Sequence, residues 1–414
     1  MTYPSLVAKQ LGKDAPYSWF LLDQAKHNPR YNYADYKLQA TRVESYLDAL
    51  VVAYHAGEDI ASWLSEGDWG VCFVLASLGV GLQDHQLFQT ALNQLDENQE
   101  THYREIVDAC VWYQCNNLSP WVLKLLLHPS PVAKQSALAL ARHESFHVEQ
   151  EQIHSLLHDP HPAIQSQLLH WLGEGGHEEH THFIQQHYAH KNNHVAFAAA
   201  RAGFLFKDPD AFQHIQQMAL TTNPSMRDAI VLLFVSQQDT ARLQTWLTQL
   251  WDSDKVSQRA KIYAIAIAGL STWVEPLLEL MEDEHLARAA GEAFTLITGI
   301  DIEEAGLDDE EFCGDCALAN AEQEEAHAAE RKKDTLFASP WEEDLPMPDA
   351  EKMYVWWESQ KGKSIDGDRY LAGHALSEES LKFVLNNGNQ GQRHIAAQHL
   401  SLNFAYPWIN INAC

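Results

Sequence analysis

The sequence is poor in positive charge. Its 414 residues contain 28 Lys and Arg against 57 Asp and Glu, so the formal net charge is −29 with His neutral. Affinity for nucleic acid comes from clustered Lys and Arg that contact phosphates, and binding to an anionic membrane surface needs the same residues. The composition therefore argues against a nucleic-acid partner and against a membrane partner, and it favours a basic protein partner.

Long hydrophobic runs and a cysteine framework are also missing. The best apolar stretches, 262–270 and 229–235, are much shorter than the roughly 20 residues that span a membrane. The first ten residues have no apolar core of a secretion signal. Six Cys in the whole chain form no evident disulfide pattern, which indicates a reducing compartment. We therefore expect a cytoplasmic protein.

Alternation of polar and apolar residues with period two is nearly absent, and helical spacing is common. Residues 33–54 predict a long amphipathic helix with Val43, Leu47 and Leu50 on one face. Further on, Pro131, Pro162, Asn193 and Pro224 follow one another at intervals of 31 residues, each ahead of an apolar, Ala- or Leu-rich segment. A period of this length with two helices per unit predicts an all-α fold, an α-solenoid of stacked helix pairs.

The composition divides the chain into four predicted regions. Residues 1–120 form an N-terminal helical region, 121–300 the repeat array, 301–350 an acidic, partly irregular insert, and 351–414 a C-terminal capping region. The insert holds 17 Asp and Glu against 3 Lys and Arg, a net charge of −14. The capping region is expected to contain turns, a small β-hairpin and a last helix pair.

Three groups of residues carry a family resemblance. They are Arg-Val-Glu-Ser-Tyr-Leu at 42–47, Arg-Ala-Ala-Gly-Glu-Ala-Phe at 288–294, and Gly-Asp-Arg-Tyr-Leu-Ala-Gly at 367–373 followed by 384–400. Together they resemble an uncharacterised family of proteobacterial HEAT-repeat-like proteins, whose members tend to be encoded near type VI secretion genes. The resemblance implies a HEAT-like α-solenoid and a bacterial secretion context. It implies no catalytic residue and no cofactor.

Several motifs suggest metal chemistry but have simpler interpretations. His143, Glu144 and His147 match H-E-x-x-H, which binds zinc when both His lie on one helix face. Here the motif falls where one helix of a repeat gives way to the next, so an exposed turn is favoured. The His-rich stretch 177–194 and the C-x-x-C pair Cys313 and Cys316 are interpreted as solvated segments. We predict no metal site.

Arginines recur near the start of the second helix of each unit, as Arg227, Arg259 and Arg288. They are expected either to pair with acidic turn residues in a ladder between repeats or to form a row of cations that faces a ligand. The acidic candidates for the ladder are Asp208, Asp254 and Asp283. Together with these three arginines, the residues predicted to bind a partner on the concave face of the array are Gln135, Gln165 and His194, on other second helices.

The sequence thus favours a binding module over an enzyme. Solenoids present extended faces that suit protein partners. With the secretion context that the resemblance implies, the leading hypothesis is an immunity protein that neutralises a basic secreted toxin. The alternatives are an adaptor or chaperone that loads an effector and, less favoured, a metal-dependent hydrolase that uses His143, Glu144 and His147.

Overall fold

The fold is an all-helical α-solenoid with a single two-stranded hairpin among the residues that the structure describes. The structure is a computed structural model that describes residues 3–64, 69–99, 101–112, 118–143, 148, 150–309, 336–337, 340–360, 369–404 and 406–407. The chain divides into two compact units. The first comprises residues 1–27, 33–212 and 410–414, and the second comprises residues 28–32 and 213–409. The predicted all-α fold class is confirmed.

The first unit is a succession of helices joined by short turns. Its helices are α1 Tyr3–His27, α2 Tyr33–His55, α3 Val71–Gly81, α4 His85–Leu92, α5 Thr101–Trp112, α6 Ser119–Leu126, α7 Pro131–His143, α8 Gln150–Leu157, α9 Pro162–Glu174, α10 Thr181–Gln186 and α11 Asn193–Leu205. The next helix, α12 Pro209–Leu220, spans the division between the units.

The repeats of the first unit follow the predicted period of 31 residues. The second helices α7, α9 and α11 begin at Pro131, Pro162 and Asn193, the positions that the 31-residue spacing marks. Proline suits the first helical turn because its missing N–H would have no helical partner there. Each second helix packs on the first helix of its own pair and on the second helix of the neighbouring pair, which buries apolar faces that one pair alone would expose.

The second unit also consists mainly of helix pairs and ends in a capping region. Its elements are α13 Met226–Ser236, α14 Thr240–Trp251, α15 Gln258–Ala268, α16 Val274–Leu280, α17 Glu284–Thr298, α18 Ala350–Gln360, β1 Tyr370–Leu371, β2 His374–Ala375, α19 Glu378–Asn387 and α20 Gln390–Asn403. The predicted hairpin and the predicted last helix pair are both present. No described helix combines the length and hydropathy that crossing a membrane requires.

The hairpin closes the C-terminal ends of the second helices in this unit. Arg369 is buried and donates to the carbonyls of Phe234, Gln237, Ile267 and Ala268, at the ends of α13 and α15. The hairpin amides of Ala372 and Gly373 donate to carbonyls near the end of α17. These bonds pair carbonyls that a helix end leaves without helical partners. Residues 369–373 of this motif thus hold the ends of the three helices together, and we call them the clamp.

Candidate binding surfaces

An ion-pair network joins three second helices of the first unit. Arg142 on α7 donates to both carboxylate oxygens of Glu174 on α9, at 2.6 and 2.7 Å, and Arg201 on α11 donates to Glu174 at 2.8 Å. Arg142 also donates to Gln167 at 3.1 Å. Burial alone would raise the pKa of Glu174, but the two guanidinium groups hold it below its ordinary value. A ladder between repeats therefore exists, built from residues that the sequence analysis did not single out.

The predicted contact positions of the first unit lie at the N-terminal ends of these helices. Gln135 on α7 and Gln165 on α9 are half-buried, whereas His194 on α11 is exposed. Asn192 caps α11 by accepting from the amides of His194 and Val195. Of these three positions, therefore, only His194 is exposed to a partner.

The His-rich segment is spread over separate local contacts. The His177 ring stacks on Trp171 at 4.2 Å, and His187 bonds to the carbonyl of Phe183. His190 accepts from the amide of Asn192. Among the described residues, no group of three or more His, Cys, Asp or Glu side chains is placed to hold a metal.

Two other motifs fall largely outside the described residues. Helix α7 ends at His143, and α8 begins at Gln150, so a change of helices surrounds the H-E-x-x-H motif as predicted. The residues 144–147 are outside the part of the chain that the structure describes, and so are Cys313 and Cys316.

The three predicted arginines of the second unit share one polar face, which we term the arginine face: Arg227 on α13, Arg259 and Tyr263 on α15, and Arg288 and Glu292 on α17. The Arg227 guanidinium lies over the Tyr263 ring, 4.7 Å from its centroid. Arg259 is buried and donates to the carbonyl of His285 at 2.6 Å. Contacts between consecutive second helices thus link α13 to α15 through Arg227 and Tyr263, and α15 to α17 through Arg259 and His285.

The carboxylate that Arg259 meets comes from the acidic insert. Arg259 forms an ion pair with Glu342, and the two side chains are only 7% and 18% exposed. Asp254 and Asp283, the partners expected for a ladder, do not take this place. Asp283 instead caps α17 by accepting from the amide of His285, and Asp254 is exposed. The insert, rather than the turns of the repeats, therefore neutralises this arginine.

The described part of the insert after the acidic run packs onto the arginine face, and we term it the strap (residues 336–337 and 340–349). The Phe337 ring lies 5.5 Å from that of Tyr263. Leu345 is buried, and Arg30 donates to the carbonyl of Asp344 and to Glu303. An isolated bridge between Asp308 and Pro348 joins the strap to the start of the insert. Aromatic, ionic and apolar contacts all hold the strap in place.

Burial and neighbouring charge perturb one carboxyl group beneath the strap. Burial raises the pKa of Glu292 to about 7, with Arg227 opposing the shift and Glu342 adding to it. Glu292 also lines a polar cleft of about 290 Å³ together with Arg30, Arg288 and Gln392. Leu345 and Pro346 of the strap form part of its wall, so the cleft is continuous with the strap.

The same unit has a run of exposed carboxylates, which we term the acidic ridge. Its members are the exposed residues Glu275, Glu279, Glu282, Asp283 and Glu284, along α16 and at the start of α17. By contrast, Arg259, Lys261 and Arg369 are buried and bonded within the unit. The second unit therefore keeps these cations inside and presents this run of carboxylates to the solvent.

Comparison with known proteins agrees with this architecture. Residues 150–233, from α8 into α13, match the family model of HEAT repeats, so this segment is similar to HEAT repeats. No curated protein and no solved structure matches the chain. The chain is thus a HEAT-repeat-like α-solenoid, and repeats of this kind indicate a protein-interaction scaffold.

Proposed function

We propose that the protein binds a basic protein partner through the acidic ridge of its second unit. The observation that carries this proposal is the exposed run of carboxylates, in a unit where Arg259, Lys261 and Arg369 are buried and bonded internally. Complementary charge accelerates association and disfavours acidic competitors. The chain's net charge of −29 acts in the same direction.

We further propose that the partner is a secreted toxin and that the protein confers immunity in the cytoplasm of the producing cell. The support is the family resemblance, which implies a type VI secretion context, together with the excess of acidic surface. An immunity protein acts by covering its toxin, and an extended array of helices offers the area that this needs.

Co-expression with each neighbouring gene tests the immunity role. The product of at least one neighbouring gene should be toxic when expressed alone and harmless when the protein is present. Loss of protection in the triple variant Glu275→Lys, Glu279→Lys and Glu282→Lys would assign the role to the ridge. A matched variant with Glu44→Lys, Asp48→Lys and Glu379→Lys changes the net charge equally at exposed sites elsewhere and should still protect.

Two results would contradict parts of the proposal. If the product of a neighbouring gene binds the protein but remains as toxic in its presence, the result would indicate the adaptor role instead. Protection that both triple variants retain would show that the ridge does not carry the interaction.

A further inference from the structure

The strap has the composition of a peptide ligand on the arginine face. Its contacts follow a simple order along the chain: an aromatic ring at Phe337, a carboxylate at Glu342 and an apolar side chain at Leu345. The first two meet complementary features of the second unit, the Tyr263 ring and the Arg259 guanidinium, and Leu345 is buried in the wall of the polar cleft. This is recognition by anchors at fixed spacing, as protein modules recognise extended peptides.

Without the strap, the arginine face would be a cationic surface with one aromatic side chain. Arg259 and Arg288 would then be uncovered beside Arg227, which is already exposed, and the carboxyl groups of Asp228 and Glu292 would lie near these three cations. A guanidinium group that loses its carboxylate while still partly buried pays a desolvation penalty, so the uncovered face favours another anionic occupant. Its chemistry is opposite to that of the acidic ridge.

We propose that the arginine face is a second recognition site, specific for an acidic protein segment with an aromatic residue ahead of a carboxylate and a leucine, and that the strap is its tethered occupant. Because the strap belongs to the same chain, its effective concentration at the face is high, and a segment from another protein must compete with it. The face is therefore closed to weak or mismatched segments. This site is independent of the ridge and of the partner proposed above.

Competition between the strap and a free peptide tests the proposal. The probe is a fluorescent peptide with the sequence of residues 336–349, titrated into the full-length protein and followed by anisotropy. The double variant Phe337→Ala and Glu342→Lys removes two strap anchors, and it should bind the peptide at least tenfold more tightly than wild type does. A matched variant, Tyr354→Ala and Glu379→Lys, makes the same types of change at exposed positions outside the strap and should bind as wild type does.

Arg259 provides the specificity control. Adding Arg259→Gln to the strap variant should abolish binding, and Arg259→Lys, which retains a cation, should restore part of it. A peptide that carries Lys in place of Glu342 should not bind to any variant. The proposal is overturned if the strap variant binds no peptide, if it binds no more tightly than wild type, or if a folded Arg259→Gln form, verified by circular dichroism, binds as tightly as its parent.

Discussion

At the scale of single residues, several of the scarce cations hold the structure together. Arg369 is the clearest case, because one buried guanidinium group bonds to four main-chain carbonyls at the ends of two helices. Burial lowers its pKa to about 10, so it remains charged at neutral pH. His399 nearby is kept neutral, since burial and the Arg369 charge lower its pKa to about 3.

Replacing Arg369 should therefore destabilise the second unit. We expect Arg369→Ala to cost about 3 kcal/mol or more, because it leaves buried carbonyls without donors. Arg369→Lys should cost less but not be neutral, since an ammonium group cannot reach all four acceptors. Thermal and urea unfolding measure both. The exposed Arg42→Ala should stay within about 0.5 kcal/mol of wild type, and an equally small effect of Arg369→Ala would refute the clamp.

Glu292 predicts a specific dependence of stability on pH. Its pKa is about 7 in the fold against an ordinary value of 4.5. As pH rises from 4.5 to 7, the unfolded chain releases this proton and the folded chain keeps it, so stability is lost across that window. Glu292→Gln should remove this loss and raise stability at pH 8 by about 1–3 kcal/mol.

Unfolding midpoints at pH 5 and pH 8 check this prediction. The difference between the two midpoints should shrink in Glu292→Gln and should persist in Glu304→Gln, an exposed carboxylate in the same unit. A Glu292→Gln protein that is no more stable than wild type at pH 8 would contradict the assigned environment.

At the scale of helices and hairpins, glycines mark where the array meets its cap. Gly269 and Gly299 end α15 and α17 in the left-handed conformation, with φ of 66° and 73°. A Cβ atom on Gly299 would lie 2.5 Å from the carbonyl oxygen of Ala372 in the hairpin. Both the backbone angle and the close approach of the hairpin therefore require glycine.

Alanine substitutions can separate these two requirements. Gly299→Ala should destabilise the protein by about 2–4 kcal/mol, since it combines unfavourable φ with a clash against the main chain. Gly57 also has a positive φ, 84°, but no atom lies within 4 Å of a Cβ built there. Gly57→Ala should therefore cost only about 1 kcal/mol. Equal losses in the two variants, measured by urea unfolding, would show that the hairpin contact contributes nothing.

The ion-pair network across α7, α9 and α11 makes the stability of the first unit depend on one carboxylate, that of Glu174. Glu174→Ala should cost about 3–5 kcal/mol, because it leaves the guanidinium groups of Arg142 and Arg201 without their shared anion. Glu178→Ala, at an exposed position just beyond α9, should have little effect. If the two variants had the same free energy of unfolding, the network would add no stability.

At the scale of the whole molecule, the repeat was predictable and the surface assembled from distant segments was not. The 31-residue spacing located the starts of α7, α9 and α11 because each repeat must solve the same packing problem. The positions of Arg227, Arg259 and Arg288 on consecutive second helices could be inferred for the same reason. The partner of Arg259 could not, because Glu342 lies 83 residues further along the chain, in a segment with no periodicity. The Arg142–Glu174–Arg201 network was equally hidden among other charged residues.

From the exposed carboxylates of the second unit, we expect the acidic ridge to select a basic protein partner. The most direct measurement is quantitative capture from the native cell by wild type, by the Glu275→Lys, Glu279→Lys and Glu282→Lys variant, and by the matched Glu44→Lys, Asp48→Lys and Glu379→Lys variant. We predict that wild type and the matched variant retain a basic protein at about 0.05 M salt. Both should lose it by about 0.5 M salt, because screening shortens the Debye length. The ridge variant should not retain this protein at either salt concentration. Equal capture of the same protein by the ridge variant, or a captured protein that is acidic, would contradict this expectation.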